Sequence, residues 1–222
     1  KLDGIASYDT ELEDLETKLK TALIDAEEKG LILSKRRYSV VESFEKGLIQ
    51  KVRQLGMAKA TVQIRLESTG NLSTTGKDAI DILFDANGSS NLVPLRESAS
   101  GGEVSRLMLA LKSILAANDQ TPTLIFDEID TGVSGEVAKQ IGALMKEISG
   151  STQILAVTHL PGVAAKGKNH FKIQKFEEKE EVVSRLEQLS DDERVKEIAA
   201  MFSGHKLTDA ALESARNLLH EN

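Results

Sequence analysis

Three short stretches of the sequence carry residue types able to handle a phosphate. In Thr123-Leu124-Ile125-Phe126-Asp127-Glu128, an apolar run ends in two adjacent carboxylates. At the C-terminal end of a parallel strand, side chains leave the sheet into the crevice where ligands bind. Asp127 there would support Mg²⁺, directly or through water. Glu128 points differently, because strand side chains alternate, and could orient and deprotonate a water for attack on phosphorus. In Ala99-Ser100-Gly101-Gly102-Glu103, a serine and two glycines stand immediately before an apolar-periodic stretch, Val104, Leu107, Met108, Leu111 and Leu115. Such a helix start exposes backbone N–H groups at its positive end, and the missing side chains let an anion approach closely. In Ile154-Leu155-Ala156-Val157-Thr158-His159, a histidine ends a second apolar run, where it could donate to a terminal phosphate. Each stretch also has a plainer reading: a strand ending in acids at a solvated edge, a Ser N-cap with turn glycines, a loop histidine. Their order along the chain is more specific than any one of them.

The elements that must hold these residues can be read from periodicity. Thr123–Asp127 and Gln153–Thr158 read as short apolar strands, with a helix over Ser134–Ser149 between them. Strand, helix, strand is a βαβ unit, so the two strands should be parallel and buried. A helix over about Ser100–Ala117 precedes them. Upstream, Thr61–Leu66 and Ala79–Phe84 alternate as strands do, and turn formers over 68–78 predict a hairpin with a long connection. Downstream, His170–Gln174 and Val182–Leu189 read as shorter strands, split by the charged turn Glu177–Glu181. Two helices close the chain. The first opens on the capping box Ser190-Asp191-Asp192-Glu193 and ends at Gly204; the second starts after Thr208.

The first quarter is different. From Asp9 to Leu55 there is no proline, and apolar residues recur at spacings of three and four: Tyr8, Leu12, Leu15, Leu19, Ala22, Ala26, then Leu33, Val40, Phe44, Leu48, Val52 and Leu55. The narrow stripe among charges suggests one arm of a coiled coil whose partner lies elsewhere. The plainer alternative is a pair of amphipathic helices folded back on the body. A continuous helix over that span would be about 70 Å long. Gly30 would mark a break or bend, since glycine costs about 1 kcal/mol in a helix interior.

Composition narrows the function classes. The 222 residues, with 40% hydrophobic and 28% charged, are ordinary for one or two globular domains, so wholesale disorder is excluded. With no cysteine, there is no disulfide framework, thiolate metal site or thiol nucleophile. The four histidines, His159, His170, His205 and His220, form no zinc motif. No apolar run approaches the roughly 20 residues that span a bilayer, so no membrane partner is expected. A net charge of −7 and 4% aromatic residues argue against an electrostatic trap or stacking platform for nucleic acid. The basic spots Lys35-Arg36-Arg37 and Lys51, Arg53 sit on helix faces, where such charges are usually solvated or paired. The start, Lys1-Leu2-Asp3-Gly4, reads as the interior of a longer cytosolic protein.

Taken in order, Ser-Gly-Gly-Glu at a helix start, a strand ending in Asp-Glu and a strand ending in His resemble the second half of an ABC-type ATPase head. The motifs would be signature, Walker B, D-loop (Ile129–Gly135) and H-loop. The stretch IDTGVSG departs from the transporter pattern and resembles the chromosome-maintenance, SMC-like branch. More closely, SASGGEVSRLMLALK, TPTLIFDEIDTGVSG and VTHLPGVAAKGKNHFKI resemble the bacterial RecN family of DNA repair proteins. That likeness runs over about 33–222, with the first ~30 residues matching only as generic coiled coil. It implies an α/β fold: the C-terminal lobe of an SMC-like P-loop NTPase head over 56–222, with a parallel sheet core, flanking helices and a β-hairpin. Residues 1–55 would be a coiled-coil arm.

In such heads two copies sandwich two ATP molecules. The resemblance implies that Ser100, Gly101, Gly102 and Glu103 contact ATP held by an opposing head, and that Asp127 supports Mg²⁺. Glu128 would be the general base, His159 would sense the γ-phosphate, and Asp130 would reach across the dimer. Arg106, beside the signature, would couple the head to its coiled coil. The cofactors implied are ATP and Mg²⁺. The partners implied are an N-terminal P-loop lobe of the same protein, a second head in a homodimer, and DNA in a bacterial, nucleoid-associated, cytoplasmic setting. The chain itself offers two imitations of a P-loop. Gly70–Asp78 has five residues between its glycines and Asp in place of Ser/Thr; Gly162–Asn169 has the spacing but ends in Asn. Neither suits phosphate, so the chain alone should not turn over ATP. The alternatives are a structural coiled-coil and head module, or a head lobe from another SMC-like ATPase.

Overall fold

The structure is a computed structural model that describes residues 2–97, 101–115, 121–127, 129–133, 135–178, 181–204 and 207–220. Ser100, Glu128 and Ser134 lie outside the described residues.

The chain opens with one helix, α1 (Leu2–Gln54), which at 1.5 Å per residue is about 80 Å long. It does not break at Gly30, as the sequence suggested. Gly30 is buried within it, and a Cβ there would stand 3.0 Å from Leu72 Cδ1. The glycine is where a hairpin lies down on the helix. That hairpin, β1 (Thr61–Ser73) and β2 (Gly76–Asp85), is also longer than expected. The turn formers predicted as a long connection are themselves paired out to Ser73–Gly76, with an irregular register between Ser68 and Ser73. Gly76 takes a left-handed φ of 100°, and its missing side chain admits Leu33 of α1. Asp78 is gripped by Arg37 (2.8 Å) and Ser34 (2.7 Å), and these contacts hold its carboxyl below the usual range. Farther down, the Tyr38 hydroxyl donates to Leu66 O (3.0 Å). One basic spot on α1 is thus a paired one.

The last turns of α1 enter the main core. Leu48, Val52 and Leu55 are buried with Val62 and Phe84 of the hairpin. A short strand β3 (Val93–Pro94) pairs antiparallel with β2 and is followed by a 3-10 turn and then α2 (Gly101–Leu115). Then come β4 (Thr123–Phe126), α3 (Gly135–Ile148) and β5 (Gln153–Ala156). As expected, β4 and β5 are parallel. Leu107, Leu109, Phe126, Ile141 and Met145 close the core beneath them.

The chain turns through the short helix α4 (Pro161–Ala164) into the hairpin β6 (Phe171–Glu178) and β7 (Glu181–Gln188). These strands run further into the charged turn than their apolar residues indicated, pairing out to Glu178–Glu181. Helices α5 (Asp191–Ser203) and α6 (Asp209–His220) finish the chain. The capping box forms at Ser190, with Glu193 accepting from the N–H (2.8 Å) and hydroxyl (2.6 Å) of Ser190. Gly204 ends α5 with φ 70°. Ile198, Ala199, Ala211, Ala215 and Leu218 form a second small core with Ala165.

Both imitations of a P-loop are accounted for by packing. Gly70 and Gly76 belong to the first hairpin. Gly162 lets α4 rest on α3: the Cβ of an alanine at Gly142 would stand 2.8 Å from Gly162 O and 3.2 Å from Val163 Cα. Backbone cannot yield as a flexible side-chain tip can. Gly142→Ala should therefore lose up to about 2 kcal/mol, with overpacking outweighing helix propensity. Gly47→Ala, inside α1 with nothing within 4 Å, should gain about 0.5–1 kcal/mol. Urea unfolding of the two variants checks the contrast.

His170 is half-buried between α4 and α5. Burial, then the Arg194 guanidinium, push its pKa below the ordinary 6.5, while hydrogen bonds with the backbone of Ala164 and Gly167, and last Glu197, pull the other way. The unfolded chain then binds the proton more readily, so stability rises with pH across this window and is lost as pH falls below about 6.5. The melting temperature should drop between pH 7.5 and 5.5, and His170→Gln should remove part of that drop. The carboxylates depressed in the fold act only at lower pH.

Candidate functional site

The in-register pairs Ile125–Leu155 and Phe126–Ala156 bring the ends of β4 and β5 to one edge, and Val157 N extends the ladder by donating to Phe126 O at 2.9 Å. Asp127 follows β4 at this edge and is solvent-exposed. Thr158 and His159 follow β5. The two loops are then tied together by a single carboxylate. Asp130, 2% exposed, accepts from the Thr158 hydroxyl at 2.5 Å and from the His159 N–H at 3.0 Å. Thr158 Oγ1 in turn accepts from Leu160 N–H at 3.1 Å. The His159 ring stands with Nδ1 3.4 Å from the same Asp130 oxygen, yet 73% of its side chain faces solvent.

In this lobe the Asp130 carboxylate is turned inward onto the neighbouring loop. The turn that aims it inward needs a glycine: Val133 N donates to Asp130 O (3.3 Å), and Gly132 sits at the third position with φ 74°.

The Arg106 guanidinium donates to Ile129 O (3.3 Å) and Thr131 O (3.0 Å), the carbonyls on either side of Asp130. Arg106 is 7% exposed, and burial lowers its pKa from the ordinary value. The clue was in the sequence: Gly102, Arg106 and Ala110 share one helical stripe, and all three are buried. Thr158 was not singled out either; its neighbour His159 drew the attention.

Gly101 and Glu103 begin α2, with Gly101 exposed and Gly102 buried. Ser100 and Glu128 lie outside the described residues. Asp127 carries the only acid that the structure describes at the tip of β4. Among the described residues no three His, Cys, Asp or Glu side chains gather as a metal cluster. A single exposed carboxylate still fits Mg²⁺, which takes one or two carboxylates and fills its remaining positions with water and substrate phosphate. No helix among the described residues is long and apolar enough to cross a membrane.

The expectation of a buried sheet holds for one face only. Leu124 and Phe126 face the core, whereas Ile125 is 71% exposed, Leu155 46% and Val157 57%. Two strands with helices on one side leave the other side uncovered, although parallel sheets are ordinarily covered on both. Ile125→Ser should change stability by no more than about 0.5 kcal/mol. Phe126→Ala, one residue on and facing inward, should cost about 3–5 kcal/mol. Denaturant titration of this chain separates the two.

No family model matches the chain. It is similar to curated DNA repair proteins RecN. The protein of Halalkalibacterium halodurans is 34% identical over 99% of this chain and 40% of its own length. That of Rickettsia conorii is 40% identical over 85% of this chain and 34% of its own length, and that of Deinococcus radiodurans 37% over 86% and 33%. The chain thus spans about two-fifths or less of these relatives. In fold it is similar to a solved Smc head domain with a coiled coil and joint from Pyrococcus yayanosii (TM-score 0.54, 22% identity, 86% of this chain and 36% of that one). It is similar also to one from Pyrococcus furiosus with an extended coiled coil, solved bound to the C-terminal domain of ScpA (TM-score 0.50, 21% identity, 70% of this chain and 36% of that one). These similarities, and the α/β lobe that carries the Gly-Gly helix and the two strand tips, mean that the chain belongs to the RecN family, of whose length it represents a part.

Proposed function

We propose that this chain is the C-terminal lobe of a DNA repair ATPase head, with residues 1–55 as the returning arm of its coiled coil. The observation that carries the reading is the shared edge, where Asp127 and the Asp130–Thr158–His159 cluster stand together at the ends of two parallel strands. Ligands in open α/β sheets bind at this kind of edge. The whole protein would bind DNA and work in the bacterial cytoplasm at the nucleoid.

In this reading ATP sits on the P-loop of an N-terminal lobe of the same protein. That lobe would cover the open face at Ile125, Leu155 and Val157, where apolar side chains are otherwise left in water. Ser100 and the start of α2, Gly101 to Glu103, would meet the triphosphate held by a second head, α2 presenting the positive end of its dipole. Asp127 would hold Mg²⁺, which when bound neutralises charge on the phosphates. Glu128 would accept a proton from the attacking water as its oxygen bonds to the γ-phosphorus. The bond to the β-phosphate oxygen breaks in line, leaving ADP and phosphate. His159, exposed at the edge, would donate to the γ-phosphate. The exposed Leu12, Leu15, Leu19 and Leu23 of α1 would pair with the outgoing arm.

The test is reconstitution. This chain alone should show no ATP turnover, and adding a P-loop-bearing N-terminal lobe should produce it. Glu128→Gln should lower that turnover by about 10²–10⁴-fold while nucleotide still binds. Turnover by the lone chain that survives Glu128→Gln overturns the assignment. Assembly with no turnover at all would favour a purely structural module.

A further inference from the structure

Arg106 lies in a place where its charge has to be explained. A buried guanidinium loses hydration that an apolar side chain of similar volume would never have needed. What it adds here is two directed donors, placed on the carbonyls of Ile129 and Thr131. Between those carbonyls Asp130 turns its own carboxylate the other way, onto Thr158 and His159 N–H. Three elements are thereby joined in sequence: the helix led by Gly101-Gly102, the loop after β4 with its Asp130, and the tip after β5.

We propose that Arg106 is a positioning residue that sets His159 through Asp130, and so couples the glycine-led start of α2 to the histidine edge. The inference rests on the proposed function for what those two ends bind, namely phosphate groups of two different ATP molecules. The geometry supplies the rest. With the loop backbone fixed on both sides of residue 130, the carboxylate has little freedom, and the His159 backbone follows it. Both bonds leave one nitrogen, Nη1, whose two N–H directions are fixed by the planar guanidinium, whereas the ammonium of a lysine ends one bond shorter on a flexible stem. Arg106→Lys therefore keeps a cation at the site while weakening its hold on the loop.

The first measurement is NMR on this chain, following the His159 amide and ring signals. Arg106→Lys should speed hydrogen exchange of the His159 amide about tenfold, in line with the loss of roughly one net hydrogen bond. Asp130→Asn should do the same, and the double variant should add little, because the two residues act in series. Leu48→Ala, in the core on α1, should lower global stability yet leave the His159 signals at their wild-type positions. An unchanged His159 amide in a folded Arg106→Lys variant overturns the proposal, as does an equal displacement of its signals in Leu48→Ala. The second measurement is turnover of the full-length protein. Arg106→Lys should lower kcat about tenfold with KM little changed, and Leu48→Ala should not reproduce that split. If the wild-type full-length protein shows no turnover dependent on Glu128, it is the ATPase reading that fails, and the His159 exchange still decides the role of Arg106.

Discussion

Parallel pairing of β4 with β5 is the constraint on which the rest of the molecule depends. Because Phe126 pairs with Ala156, the residues that follow each strand emerge at one edge and in step. A parallel pair cannot be joined by a tight turn, so a crossover is obligatory, and α3 supplies it. After β5, α4 packs closely on the crossover helix α3 at Gly142 and Gly162. That approach fixes where α4 begins, and hence where the loop holding Thr158 and His159 can run.

On this frame, polar groups do the locating. Asp130 is buried, and a buried carboxylate is tolerable only when its oxygens are hydrogen-bonded. The hydroxyl of Thr158 and the N–H of His159 meet that need, and in doing so they lock the two loops together. Arg106 performs the same service for two loop carbonyls. The imidazole of His159 stands with Nδ1 3.4 Å from the same Asp130 oxygen, while 73% of the side chain faces solvent.

The two ends of the chain obey a different logic. The long helix α1 is anchored at its C-terminal end by Leu48, Val52 and Leu55, and along its middle by the hairpin through Ser34, Arg37 and Tyr38. Beyond the hairpin, its leucines at 12, 15, 19 and 23 are each more than half exposed. Helix propensity alone gives little stability to so long a solvated stretch. The exposed seam and the open face of the sheet are the two surfaces through which this lobe would join the remainder of a head.

The sequence by itself determined much of the local structure: the strand and helix periods, the βαβ order, the capping glutamate of α5, and the family likeness carried by the Gly-Gly, Asp-Glu and His stretches. These are legible because they follow from side-chain period and short-range hydrogen bonding. Only the tertiary structure decided the roles of Gly30, Gly142 and Gly162, since a glycine that admits a distant side chain or backbone looks the same in sequence as one that breaks a helix. Only it decided, too, that Asp130 turns inward, that Arg106 grips the loop after β4, and that one face of the sheet is open. Each of these depends on which groups, far apart in the chain, meet at hydrogen-bond or van der Waals distance, and no local periodicity encodes that meeting.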